Sequence, residues 1–154
     1  MKVKNTEDLR EIKDEFFPLI KQRMGYSNGL GITQVLVCSG TACSSAESQD
    51  FRLELERELD RRNLRDNVRV FKTGCFGFCQ HGPIIMVHPG EVFYSKVRPE
   101  DVKEFVETHL ISGRVVERLL YQNNGQKANN IEDINFFKAQ KRIVLRNCGV
   151  IDPE

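Results

Sequence analysis

Apolar residues fall in short blocks along this chain, and the spacing changes from block to block. Ile32 to Cys38 (ITQVLVC) is β-branched and apolar and predicts a buried strand. Asn67 to Lys72 (NVRVFK) predicts a second. Between them Phe51, Leu55 and Leu59 recur every four residues, with Glu, Asp and Arg covering the other face, which predicts a helix over Ser44 to Leu64. Ahead of the first strand, Thr6 to Met24 predicts a helix capped by Thr6, with Leu9, Ile12, Phe16 and Ile20 on one face. Pro18 is expected to kink or divide it, and Gly25, Asn28, Gly29 and Gly31 to break the chain after it. Pro83 to His88 and Glu91 to Lys96 flank Pro89-Gly90 and predict a β-hairpin. Pro99 then opens a helix with Val102, Phe105, Val106 and Leu110 on its apolar face, ended by Gly113.

The order α-β-α-β-β-β-α is that of a thioredoxin-like half. A right-handed crossover makes the first two strands parallel. The expected fold class is therefore α/β: a thioredoxin-like, four-stranded mixed sheet flanked by helices, with an N-terminal helix and a C-terminal extension. In that extension Val115 to Tyr121 predicts a helical turn or two, and Gln122 to Asn130 (QNNGQKANN) a polar linker. Ile143-Val144-Leu145 predicts a strand. The tail is expected either to dock on the preceding domain or to belong to something beyond it.

Composition narrows the class. The chain has 154 residues, enough for one domain with extensions, and is 40% hydrophobic and 29% charged, as soluble globular proteins are. Basic (23) and acidic (22) residues nearly cancel, so no strong net field recruits nucleic acid. No signal-peptide pattern and no membrane-spanning apolar run is present, so a cytoplasmic, reducing location is expected. In that setting paired cysteines are metal ligands or redox groups more often than disulfides.

Four of the five cysteines come as two clips. Cys38 and Cys43 form a C-x₄-C pair, and Cys75 and Cys79 a C-x₃-C pair. Strands that are parallel would deliver both clips to one edge of the sheet. Neither clip has the C-x-x-C spacing of thioredoxin-type thiol chemistry, or the tight knuckles usual in structural zinc sites. Gly40, Gly74, Gly77 and Gly82 surround the thiols and permit backbone N–H groups to approach the sulfurs. The looser spacing and the glycines favour a [2Fe-2S] cluster, with a four-cysteine zinc site as the alternative.

Other residues have plainer readings. Cys148 is expected to be a half-buried spare thiol. His81 is a rim residue, His88 a hairpin-end residue and His109 a helix-surface residue. Phe76 and Phe78 are expected to shield the site from water. Arg57, Arg61, Arg62 and Arg65 are the solvated face of a charged helix.

The clip spacing, with GCFGFCQHGP (residues 74–83) around the second clip, resembles the thioredoxin-like [2Fe-2S] ferredoxins. The resemblance covers roughly residues 32–111. It implies that Cys38 and Cys43 hold one iron and Cys75 and Cys79 the other, in a one-electron carrier with no small-molecule substrate of its own. VERLLY (116–121) and FFKAQKRIVLRNCGVIDPE (136–154) are similar to the approach to the flavin domain in NADH-binding subunits of electron-bifurcating [FeFe] hydrogenases and complex I-like dehydrogenases. That likeness implies three parts: a helical segment (1–30), a [2Fe-2S] domain (31–113), and a linker with the beginning of a flavin- and NADH-binding domain cut short (114–154). FMN, NAD and [4Fe-4S] centres would belong to the longer polypeptide. The partners implied are other subunits of an iron–sulfur flavoprotein.

Overall fold

The computed structural model describes residues 3–26, 31–123 and 125–151. Helix α1 (Thr6–Arg23) is followed by β1 (Thr33–Cys38), α2 (Thr41–Ser45), α3 (Ser48–Arg61), β2 (Val68–Thr73), β3 (Ile84–His88) and β4 (Val92–Ser95). The four strands form one sheet in the order β2-β1-β3-β4. β1 and β2 are parallel, while β1–β3 and β3–β4 are antiparallel. Cys38 pairs with Thr73, so the first clip begins, and the second follows, at the same sheet edge.

β1 is buried on both faces, which explains its nearly unbroken apolar run. Val35 and Val37 point to one side, against Phe51, Leu55 and Leu59 of α3. Leu36 and Cys38 point to the other, among Phe76, Phe78, Met86 and Phe93. The helical rod after Pro99 also packs on the α3 side. It runs through a 3₁₀ turn (Pro99–Asp101), α4 (Val102–Phe105) and a π-helical stretch (Val106–Ile111), and Gly113 ends it at φ +66°.

Several sequence expectations change. The cap of α1 is Asn5, whose side chain accepts from the Asp8 N–H at 2.9 Å, rather than Thr6. Pro18 does not divide α1. The bond it removes would end on Asp14, which is exposed to water. The apolar face is only partly covered: Leu9 is exposed and Ile12, Phe16 and Ile20 are half-buried, whereas Leu19, Gln22 and Arg23 are buried. Only the C-terminal end of α1 meets the sheet, where the Gln34 Nε2 donates to the Gln22 Oε1 (2.6 Å) and the Arg23 Nε donates to the Gln34 Oε1 (2.7 Å). Of the predicted break, Gly25 and Gly31 both have positive φ, while Asn28 and Gly29 lie outside the described residues.

The helix predicted from Ser44 is two helices, because the chain turns at Glu47 (φ +69°). The segment read as a linker carries a small hairpin, β5 (Tyr121–Asn123) with β6 (Gln126–Ala128). Ile143–Leu145 is not a strand; the chain there makes turns, with Val144 92% exposed. His88 ends β3, as expected of a hairpin-end residue, while His109, read as a helix-surface residue, is half-buried. His88 is buried, and the Nδ1 of His109 lies 2.5 Å from the Tyr94 hydroxyl. The arginine cluster is as expected: Arg57, Arg61, Arg62 and Arg65 pair with Glu54, Glu58, Glu107 and Asp60.

Candidate metal centre

The two clips meet at the carboxyl ends of β1 and β2. Cys38 ends β1 and is fully buried, and Cys43 is held buried by α2. Cys75 is half-buried and Cys79 exposed, with their sulfurs 3.5 Å apart. All four are free thiols. Among the described residues, no three His, Cys, Asp or Glu side chains are arranged to hold a single metal ion.

The backbone around these thiols is built for negative sulfur. Cys38 is pulled down to about 6, first by the hydrogen bond from Cys43, against its burial, and then by the N–H groups of Gly40 and Phe76. Cys43 is pushed up, chiefly by the proton it shares with Cys38 and then by burial. Burial pushes Cys75 up, while the Gly77 N–H donates to its sulfur at 3.2 Å and opposes the rise. Gly40 and Gly82 give the close approach expected of them, while Gly74 instead faces Cys148. A Cβ on Gly82 would stand 2.7 Å from the Cys43 sulfur, and one on Gly40 would stand 3.1 Å from the Cys75 Cβ. Gly77 has φ +80°, which suits glycine. A set of four thiols approached closely by glycine backbone, with an N–H donating to Cys75, fits an anionic iron–sulfur centre.

The model of the thioredoxin-like [2Fe-2S] ferredoxin family matches residues 25–109. This chain belongs to that family. As a thioredoxin-like ferredoxin it carries a [2Fe-2S]-binding electron-transfer domain. It is 46% identical over 77 residues to a 2Fe-2S ferredoxin of Clostridium pasteurianum, covering 50% of this chain and 76% of that one. It is 36% identical over 81 residues to a 2Fe-2S ferredoxin of Aquifex aeolicus, covering 53% and 73%. The crystal structure of the wild-type thioredoxin-like [2Fe-2S] ferredoxin from Aquifex aeolicus matches with a TM-score of 0.55 at 31% identity, over 60% of this chain and 98% of that one. A cysteine-to-serine variant of the Aquifex protein matches at 0.56 and 30% identity, over 60% and 100%. Of the two metals weighed from spacing, the family carries the iron–sulfur one.

Phe76 and Phe78 are buried beside the ferredoxin's thiols, as shielding residues should be. The ring of His81 packs on Phe78 (4.3 Å between centroids) and Tyr121 (4.8 Å). Burial holds its pKa below the usual histidine value, with the nearby Lys96 charge adding to the effect. Sequence reasoning missed what surrounds Phe78: Tyr121, Phe136 and Phe137 all pack on it, at 5.1, 4.7 and 5.4 Å. It also missed Thr73, whose Oγ1 accepts from the buried Gly149 N–H at 2.8 Å. The Phe-Phe doublet was a visible apolar signal, but nothing local says which surface it meets.

Proposed function

We propose that Cys38, Cys43, Cys75 and Cys79 are the four ligands of the [2Fe-2S] cluster, one clip to each iron, and that the domain carries single electrons for a larger iron–sulfur flavoprotein. The observation that carries the ligand assignment is the convergence of the two clips, with Gly40 against Cys75, Gly82 against Cys43 and the Gly77 N–H donating to the Cys75 sulfur. The cluster supplies a one-electron store. The chain's part is to hold it with four thiolates, offset their charge with N–H dipoles, and keep water away with Phe76 and Phe78. Free thiols on these residues suit a reducing, cytoplasmic compartment.

The larger enzyme is an NADH-linked oxidoreductase, of the bifurcating hydrogenase or complex I-like dehydrogenase kind. Support for it is the likeness of residues 116–121 and 136–154 to the approach to a flavin domain. In that setting residues 31–113 are the carrier domain, and flavin, NAD and [4Fe-4S] chemistry belong to other parts of the assembly.

Iron analysis and EPR of the anaerobically reduced protein test the ligands. Wild type should hold two irons per chain, and Cys79→Ser or Cys38→Ser should lose the cluster or change its spectrum. Unchanged spectra in both variants would refute the assignment. The parent enzyme is tested by whether NADH reduces the cluster only when a flavin-bearing partner is added. Failure with every such partner would leave a free-standing carrier.

A further inference from the structure

The family match ends at residue 109, yet later residues crowd the second clip. Thr73 accepts from the Gly149 N–H. The Cys148 sulfur lies 3.0 Å from where a Gly74 Cβ would be. Gly149 abuts the ring of Phe76, 2.9 Å from its own Cβ position. The Leu145 side chain lies 3.5 Å from the Cβ position of Gly77. Phe136 stacks on Phe78 at 4.7 Å, and Phe137 meets it edge-on. The C-terminal segment thus lies against Thr73, Phe76 and Phe78 and faces the open side of Gly74 and Gly77. The same segment is tied to α1, because the Arg23 Nη1 donates to the Val150 carbonyl at 2.9 Å.

We propose that Phe136, Phe137, Leu145 and Gly149 form one wall of the cluster site, hold the Cys75–Cys79 loop in position, and set the reduction potential of the cluster by keeping water from that loop. The inference rests on the reading of Cys75 and Cys79 as ligands. The physical argument is one of charge. A reduced cluster carries one more negative charge than an oxidised one, and water stabilises that charge better than phenyl rings do. A dry wall therefore keeps the potential low, and opening it raises the potential. The loop has little stiffness of its own between its thiols, because Gly74 and Gly77 flank Cys75 and Phe76, and Gly77 sits at positive φ, so what packs on it adds to its fixed geometry. These are positioning residues, acting on the cluster through the clip.

The test uses the full chain with its cluster. Phe136→Ala opens the wall at its edge, where the ring is 37% exposed and its removal is tolerable to the fold. The expected result is an unchanged circular dichroism spectrum, an upward shift of the midpoint potential, and severalfold faster bleaching by an iron chelator. Phe136→Leu, which keeps apolar bulk, should recover most of both. Thr73→Val loosens the other end of the wall by removing the acceptor of the Gly149 N–H, and should shift the potential the same way. Leu53→Ala, on the exposed face of α3, is the control and should change neither readout. A wild-type potential and bleaching rate in both Phe136→Ala and Thr73→Val would overturn the proposal. The ligand reading fails separately, through an unaltered cluster in Cys79→Ser.

Discussion

Gly82 has no room for a side chain. A Cβ there would press to 2.7 Å from the Cys43 sulfur, a collision with the first clip, while resting in ordinary contact (3.4 Å) with the Cys79 carbonyl oxygen of the second. Gly82→Ala should lose much of its cluster on purification and be destabilised by about 1–3 kcal/mol, the usual range for overpacking. Iron content and denaturant midpoint are the measurements. The role of this glycine was legible in the sequence, since it lies three residues past Cys79. The identity of its obstacle was not, because Cys43 arrives from another part of the chain.

At the scale of elements, β3 and β4 with the helical rod after Pro99 hold two histidines neutral. His88, at the end of β3, is buried with both ring nitrogens lacking a partner among the described residues, and burial pushes it down to about 4. The nearby Arg23 charge adds to this. His109, on the π-helical stretch, is likewise pushed down to about 4 by burial. The Val116 N–H donates to the Tyr94 hydroxyl at 3.1 Å, which leaves that hydroxyl to donate to the His109 Nδ1. In an unfolded chain both rings take up protons near pH 6.5. Between there and about pH 4 the unfolded state binds more protons than the folded one, so stability falls as pH falls through that window. The loss is about 1.4 kcal/mol per unit for each buried ring, less for the partly exposed His109. His88→Leu should therefore be at least as stable as wild type at pH 7.5, and its advantage should grow by pH 5. Guanidinium unfolding of the two proteins at both values checks this. An advantage that shrinks toward acid would contradict it.

The whole molecule is joined by one buried polar cluster. Gln34 donates to the Leu19 carbonyl (3.1 Å) and to Gln22, and accepts from Arg23, which in turn reaches Val150. The Arg23 guanidinium also lies over the Phe71 ring at 4.3 Å. Strand, first helix and C-terminal segment therefore share a single network, and cutting its centre should loosen all three. Gln34→Leu leaves the Gln22 Oε1 and Arg23 Nε without this partner, at a cost of about 1–3 kcal/mol. Hydrogen exchange should then rise in α1 and in residues 145–151 together. Faster exchange in α1 alone would mean that the two are not coupled.

Sequence alone determined the elements that build the carrier. β1, β2, the hairpin and the Phe51-Leu55-Leu59 face of α3 are repeats of short period, so neighbouring residues carry the signal. The clips were equally plain, because cysteine spacing and flanking glycines are local too. α1 was read less well: its buried end is Leu19, Gln22 and Arg23, and partners distant in sequence, Gln34 and Val150 among them, make such polar burial possible. Only the tertiary structure decided that Gln122 to Asn130 contains a hairpin, that His88 is buried, and that Phe136 and Phe137 close on Phe78. Those outcomes depend on which surfaces meet. Contacts between distant segments are chosen by shape and by the area removed from water, and they leave no periodic mark on either segment.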